Sequence, residues 1–432
     1  MHYKNFDGGS DHCGRGDGAA KDRSHSFVDM ANPGDVRTTF TDSENHSRRH
    51  CAHQEQLVFD DPYSAHKPDG KPSTHQPTDT TPPPAPPVMP PEVPTAPVPP
   101  VNTPEGPVSA NSLDIGSIRG VNLSGAEWSK SRPNDNQFWP TAQELDYYKS
   151  KGMNTVRLPI AWEQFQPALN GPLDQNEMAQ LDKFLAAADQ RGMKVLIDLH
   201  NYDRYTPSHG AGGTGVGQEE NGLVVGQAGL PVSALSDFWQ KMANHVNANK
   251  TDSSAVSGFD LMNEPHDVGG TWANTATQVV QAIRATGDNH TLVVEGDGWA
   301  RNFNGLESLA HSDKNIAFEA HSYWDSNGSG GYAADGPGDP NRGVNEIKPF
   351  VSWLKQNNAS GFVGEWGVPS NDSGWEPTIK NFIQYLNENN VGNTVWAGGP
   401  GWGGYKLSVE PEGGQDKAIM SAIVEANQGQ YF

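Results

Sequence analysis

Residues 176–202, NEMAQLDKFLAAADQRGMKVLIDLHNY, carry two periodicities in one stretch. Asn176–Arg191 repeats its apolar residues at helical spacing, and Lys194–Leu199 is a short apolar run closed by a polar residue, His200. A helix leading into a buried strand is the repeating element of an alternating α/β chain, and the same texture extends in both directions. Further strands are expected at Ser117–Asn122, Thr155–Pro159, Gly258–Met262, Thr291–Glu295, Ile316–His321, Phe362–Glu365 and Thr394–Ala397. Further helices are expected over Thr141–Lys151, Ser233–Ala248, Trp272–Ala285, Asn345–Gln356, Glu376–Asn389 and Gln415–Ala426. Eight strands with crossovers between most of them predict an α/β fold of the (β/α)8 (TIM) barrel type over residues 112–432. An open doubly wound sheet fits less well, because no strand stands out as a long central one.

The front of the 432-residue chain is different. All twelve Trp follow residue 111, and residues 82–100, PPPAPPVMPPEVPTAPVPP, contain eleven Pro. The hydrophobic fraction of 34% falls below the roughly 45–50% of a compact domain, so part of the chain cannot bury enough apolar surface to offset its ordering entropy. Residues 1–81 are therefore read as a disordered polar tail, 82–111 as a Pro-rich linker of polyproline II character, and 112–432 as the single folded domain. A net charge of −22 argues against nucleic acid and anionic membranes as partners, since both need a concentrated basic patch. No run of eighteen apolar residues exists, so no membrane span is expected. Cys13 and Cys51 both lie in the polar front, leaving the folded domain without a disulfide. The opening MHYKNFDGGSDHCG lacks the apolar core of a secretory leader.

A barrel places its chemistry at the C-terminal ends of its strands. Polar and aromatic groups stand there: Arg157 in VRLP, His200 in LIDLHNY, Asn263 and Glu264 in DLMNEPHD, His321 and Tyr323 in FEAHSYW, Glu365 in FVGEWG and Trp396 in NTVWAGG. Glu264 and Glu365 then converge on one mouth from strands four and seven. Cleaving an acetal needs a proton donor for the departing oxygen and a carboxylate facing the oxocarbenium-like carbon, and this pair can supply both. Salt-bridging or helix-capping glutamates are the plainer alternative. Arg157 is expected to keep Glu365 ionised with Tyr323 as a second donor, and Glu264, repelled by that negative charge on Glu365, to hold its proton to higher pH. Asn263 is a candidate partner for a sugar 2-OH, and His200 and His321 for substrate hydroxyls or the carboxylates. Tyr202, Trp128, Trp299, Trp324, Trp396 and Trp402 are candidate stacking surfaces for pyranose rings, and Trp353 is expected in the core.

The runs GVNLSGAEW, RLPIAW, DLHNY, LMNEPHDV, HSYWDSNGSG, VGEWG and WAGGPGW resemble glycoside hydrolase family five, and within it the endo-β-1,4-glucanases (cellulases). The resemblance covers nearly all of residues 112–432 and none of the front. It implies a retaining, endo-acting hydrolase of β-1,4-glucan (cellulose, carboxymethyl-cellulose, mixed-linkage glucan) working by double displacement, without cofactor or metal. It makes Glu264 the acid/base and Glu365 the nucleophile, with Arg157, His200, Asn263, His321 and Tyr323 as their supports and Trp396 as a sugar platform. A β-linked polysaccharide or oligosaccharide is then the partner, of a monomer acting outside the cell or on its surface.

Other readings stay open at this point: a β-mannanase or other β-glucanase of the same fold, and a carbohydrate-binding barrel without turnover. A dinucleotide oxidoreductase rests only on Gly210–Gly215, which satisfies GxGxxG but neither directly follows a strand nor opens a helix. His12 with Cys13, and His50, Cys51 and His53, lack metal-site spacing, and no HExxH or CxxC occurs.

Overall fold

A computed structural model of the chain describes residues 114–128, 138–207, 222–249, 254–332 and 335–429. The expected tail and linker, both cysteines and the Gly210–Gly215 run lie outside these residues.

Eight parallel strands close into a barrel: β1 (Arg119–Leu123), β2 (Thr155–Ile160), β3 (Lys194–Leu199), β4 (Val256–Asp260), β5 (Thr291–Glu295), β6 (Ile316–Tyr323), β7 (Ser360–Gly367) and β8 (Gly392–Gly398). Each strand pairs with its sequence neighbour, and β1 closes the ring on β8 through Arg119 opposite Asn393 and Gly120 opposite Thr394. Around it lie α1 (Ala142–Ser150), α2 (Gln175–Asp189), α3 (Val232–Ala248), α4 (Trp272–Arg284), α5 (Arg342–Gln356), α6 (Glu376–Glu388) and α7 (Met420–Asn427). Their starts follow local chemistry: Thr141 and Glu144 form a capping box on α1, and the Asp174 carboxylate accepts from the backbone N–H of Asn176 and Glu177 on α2. The helices bury one stripe against the barrel, as in α3, where Leu235, Phe238, Trp239, Met242 and Val246 are all covered.

The expected strands and helices agree with these to within a few residues, with two informative exceptions. The last helix begins at Met420 rather than Gln415, because Glu412 and Gln415 pair across the Gly413-Gly414 turn and hold the chain out of the helix. Arg157 is not at the end of β2 but its third residue, since the strand runs on to Ile160. Trp353 packs with Phe303 and Phe318, as expected of a core residue.

The barrel interior is layered by the two-residue period of its strands. At the N-terminal end Leu196, Val293, Ala317 and Phe362 form a small apolar cluster, plugged by Ile115 and Ile118. Two residues further along β3, β5 and β6 come Asp198, Glu295 and Glu319, all buried. Two more bring His200 on the β3 side and His321 on β6. An apolar floor thus supports a charged middle layer, and the charged layer supports the mouth.

Candidate active site

Arg157 organises the charged layer. Its guanidinium, without measurable exposure, donates to Asn122 Oδ1 (2.9 Å), Asn263 Oδ1 (3.0 Å), Asp260 Oδ2 (2.9 Å), Glu295 Oε1 (2.9 Å) and Glu365 Oε1 (3.0 Å). It also lies within 3.0 Å of Asp198 Oδ2 and 2.9 Å of Glu319 Oε1. One side chain from mid-β2 therefore ties together groups from β1 and from β3 to β7. The mid-strand position makes this possible, because a guanidinium at the strand's end would sit above the acids of the middle layer. The surrounding carboxylates hold its charge firmly, against the opposing effect of burial.

Glu365 reaches the mouth through an irregularity in β7. His321 of β6 pairs with Glu365 while Ala320 pairs with Val363, so Gly364 is an extra residue that re-aims the side chain after it. Glycine is required here by a close approach: a Cβ on Gly364 would lie 1.5 Å from Glu319 Oε1. The Glu365 carboxylate receives Arg157 Nη1 on Oε1 and the Tyr323 hydroxyl on Oε2 at 2.7 Å. Burial and the neighbouring Glu365 charge push the Tyr323 hydroxyl well above its ordinary value, so it stays a neutral donor.

Glu264 follows β4 in a left-handed conformation (φ 44°), a strain of about 1–3 kcal/mol that its surroundings must hold. Its backbone N–H donates to Glu295 Oε2 at 2.7 Å, and its Oε1 accepts from His321 Nδ1 at 2.7 Å. One oxygen of Glu264 and one of Glu365 lie within 4.8 Å of each other, with a ring nitrogen of His321 in the same circle. Burial raises the Glu264 carboxyl, but the hydrogen bond and charge of His321 outweigh it and hold the group down at about 2. The expectation that Glu264 keeps its proton longer than an ordinary glutamate is corrected by this contact. Burial alone would discharge His321, but Glu295, Glu365, Glu264 and Glu319 together raise it well above its ordinary value. The proton of the Glu264–His321 pair therefore rests on the imidazole.

The remaining expected residues divide. Asn263 is fixed through Oδ1, while its buried Nδ2 has no hydrogen-bond partner. His200 contacts Asp198 Oδ2 through Nδ1 at 2.7 Å, and burial lowers it to about 3, so it is neutral. The Trp396 ring stacks on His200 at 5.4 Å between centroids, and Tyr202 stands edge-on to it. Beside Glu264 and Tyr323 opens a cavity of about 480 Å³ walled by Trp299, Arg301, Tyr405, Lys406 and residues 327–331. Trp128 is not in that wall; it packs edge-on against Trp402 at 4.6 Å.

Trp324 corrects another expectation. Because Tyr323 at the end of β6 faces inward, the next residue faces outward, and Trp324 stacks on Trp366 and packs edge-on against Phe382, donating its Nε1–H to Ser322 Oγ. Tyr405, Lys406 and the charged layer (Asp198, Asp260, Glu295, Glu319) were not singled out from sequence. The signal for three of the acids was present: Asp198 and Glu319 stand two residues before His200 and His321, and Glu295 closes the apolar run TLVVE. Tyr405 and Lys406 lie in a loop with no period to read.

Two buried trios have metal-ligand composition, Glu264–His321–Glu365 and Glu295–Glu319–His321. In both, the His321 nitrogens already face carboxylates, and Arg157 and the imidazolium supply counter-charge. A second cavity, of about 550 Å³, opens at the opposite end of the barrel and contains no pair of acids among its lining residues.

The family model for cellulase, glycosyl hydrolase family 5, matches residues 108–401. Endo-β-1,4-glucanase B of Aspergillus niger is 29% identical over 320 residues, covering 71% of this chain and 88% of its own. A Pseudomonas stutzeri endoglucanase solved in complex with cellobiose superposes with a TM-score of 0.62 at 32% identity, covering 72% of this chain and 92% of the other. An endo-β-1,4-glucanase from Xanthomonas axonopodis pv. citri gives 0.61 at 32% identity, over 72% of this chain and 98% of its own. With a closed (β/α)8 barrel and two glutamates meeting at its C-terminal mouth, a match over most of the folded residues leaves one assignment: the chain belongs to family 5 of the glycosyl hydrolases, the cellulase family.

Proposed function

We propose that the protein hydrolyses internal β-1,4 bonds of a glucan with retention of configuration, with Glu365 as nucleophile and Glu264 as acid/base. The observation that carries this reading is the approach of the two carboxylates to within 4.8 Å. Retaining glycosidases keep their carboxyl groups about 5–5.5 Å apart, whereas roughly 6.5–9.5 Å is needed to lodge a water between them.

In the first step Glu264 protonates the glycosidic oxygen as its bond to C1 breaks, and a Glu365 oxygen bonds to C1. The proton Glu264 gives up is drawn from its pair with His321, 2.7 Å away. Arg157 and Tyr323 donate to Glu365 and keep it aimed until the bond forms. In the second step Glu264 takes a proton from water, the hydroxide oxygen attacks C1, and Glu365 leaves as a carboxylate. The buried Nδ2 of Asn263, without a partner in the protein, is in this reading the donor to a sugar hydroxyl, an interaction that strengthens in the transition state. Trp299 and Tyr405 in the cavity wall offer ring faces to successive sugars, while Trp396, 1% exposed and stacked on His200, lies outside that wall.

Glucanase names among the relatives support β-1,4-glucan over mannan. An insoluble polymer cannot enter a cell, so the enzyme works outside it, as a monomer in this reading. Among the described residues no helix is long and apolar enough to cross a membrane. The test is reducing-sugar release from carboxymethyl-cellulose beside mannan and laminarin, with proton NMR of the first product. Glucan cleavage with an initial β-anomer is expected. An initial α-anomer removes Glu365 from the nucleophile's role, and preference for mannan moves the substrate.

A further inference from the structure

Glu319 takes no part in the chemistry just described, yet it lies against both halves of the catalytic pair's support, and closer to His321 Nε2 than Glu295 does. Its Oε1 is 2.9 Å from Arg157 Nε, the cation that holds Glu365, and 3.1 Å from His321 Nε2, the ring that holds Glu264. It has no exposed surface, so its constraints come from neighbours rather than from solvent.

The two contacts are unequal in consequence. Arg157 has six other oxygen partners, on Asn122, Asp198, Asp260, Asn263, Glu295 and Glu365, and keeps its place without Glu319. His321 Nε2 has one acceptor at hydrogen-bond distance, Glu319; the next, Glu295 Oε1, is 3.5 Å away. Resting on the assignment of Glu264 as acid/base, we propose that Glu319 is a positioning residue for proton delivery: by accepting from His321 Nε2 it sets the ring so that Nδ1 carries its proton to Glu264. The arrangement is the familiar one in which a carboxylate fixes the orientation and tautomer of an imidazole from behind.

Two features of the fold support a built role. Glu319 lies two residues before His321 on β6, so the strand's period puts both on the inner face at successive levels. Gly364 leaves the space the carboxylate occupies, since any side chain there would strike Glu319 Oε1. The charged and titratable groups around His321 are Arg157 from β2, Asp198 and His200 from β3, Asp260 and Glu264 from β4 and its loop, Glu295 from β5, Tyr323 from β6 and Glu365 from β7. Burial, partly offset by Arg157 and His321, pushes the Glu319 carboxyl up to about 7, so its charge is present on the alkaline side, where the His321 proton is lost; with that charge removed the remaining acids still draw a proton to His321, but less strongly.

Glu319→Gln keeps shape and an acceptor oxygen while removing the charge. On cello-oligosaccharides its kcat is expected to fall about tenfold or more with KM within about twofold, and the alkaline limb of its pH profile to move about one unit toward acid. On an aryl cellobioside whose leaving group needs no proton, kcat/KM should match the parent. Glu319→Asp retains the charge but withdraws it by one methylene, so its alkaline limb should stay in place while kcat falls. Nitrogen-15 NMR of the His321 ring should find Nε2 protonated and strongly hydrogen-bonded in the parent and altered in Glu319→Gln. Folded Glu319→Gln with the parent's kcat and alkaline limb, or Glu319→Asp with the parent's kcat, overturns the proposal, as does an equal loss on both substrates. An unmutated protein without turnover on any glucan would instead remove the acid/base assignment, and the NMR measurement would still decide how Glu319 holds the ring.

Discussion

Asp198→Asn isolates the energetics of the charged layer. Asp198 is fully buried, its Oδ2 serves both Arg157 Nη1 at 3.0 Å and His200 Nδ1 at 2.7 Å, and its Oδ1 has no hydrogen-bond partner. Burial, only partly offset by Arg157, pushes its carboxyl from 3.8 up to about 7. The folded state thus holds a proton that the unfolded chain releases, and the stability linked to this group is whole below about pH 3.8 and lost as pH rises through about 7. A rise of about three units, at ~1.4 kcal/mol each, makes the loss ~4 kcal/mol by pH 8. Asparagine keeps one oxygen for the two donors, places its amide where the partnerless Oδ1 was, and does not titrate. Relative to the parent, Asp198→Asn should therefore gain ~4 kcal/mol between about pH 4 and pH 8, or about 6 °C in Tm at ~2.1 cal/mol/K per residue over roughly 320 residues. His200, kept neutral by burial, contributes alike to both proteins and drops out of the difference. Calorimetric melting of both proteins across this range is the assay. A Tm gap that stays constant or narrows as pH rises would show that Asp198 is already ionised in acid and that Arg157 outweighs burial.

Replacing Glu365 with Gln should lower turnover by at least about 10⁴-fold on every substrate, measured by steady-state kinetics. Glu264→Ala should lose about 10²–10⁴-fold on cello-oligosaccharides, but spare the first step on an activated aryl glycoside and release a β-glycosyl azide when azide is added. Tyr323→Phe removes the 2.7 Å hydrogen bond to Glu365. A bond to a charged group contributes about 1.5–3 kcal/mol, so kcat should fall about 10–150-fold in a protein whose circular dichroism is unchanged. Trp396→Ala removes a ring that is 1% exposed and should cost about 3–5 kcal/mol of stability; a platform role adds a fall of about tenfold in kcat/KM on oligosaccharides, and unchanged kinetics would make the ring a core residue only.

Periodicity alone was enough to determine the barrel: segments such as Asn176–Arg191 and Lys194–Leu199 differ in period and composition, and such local signals survive in one dimension. It was also enough to place Glu264, Glu365, His321 and Tyr323 at one rim, because strand ends in a parallel barrel share an edge whatever their separation along the chain. Only the tertiary structure decided which groups touch. Arg157 meets carboxylates from β3 to β7, and no spacing along the chain encodes that convergence; it arises when the ring closes and mid-strand side chains point at one axis. The protonation pattern has the same origin. From sequence, Glu264 was an acid beside the negative charge of Glu365; in the fold it is an acid 2.7 Å from an imidazole. Trp324 shows the limit from the other side, since an aromatic one residue past an inward-facing Tyr323 reads as part of the mouth, while the strand's alternation turns it into the core. Pattern along a chain reports what each segment does alone, whereas electrostatics falls off with distance in space, and that distance exists only after folding.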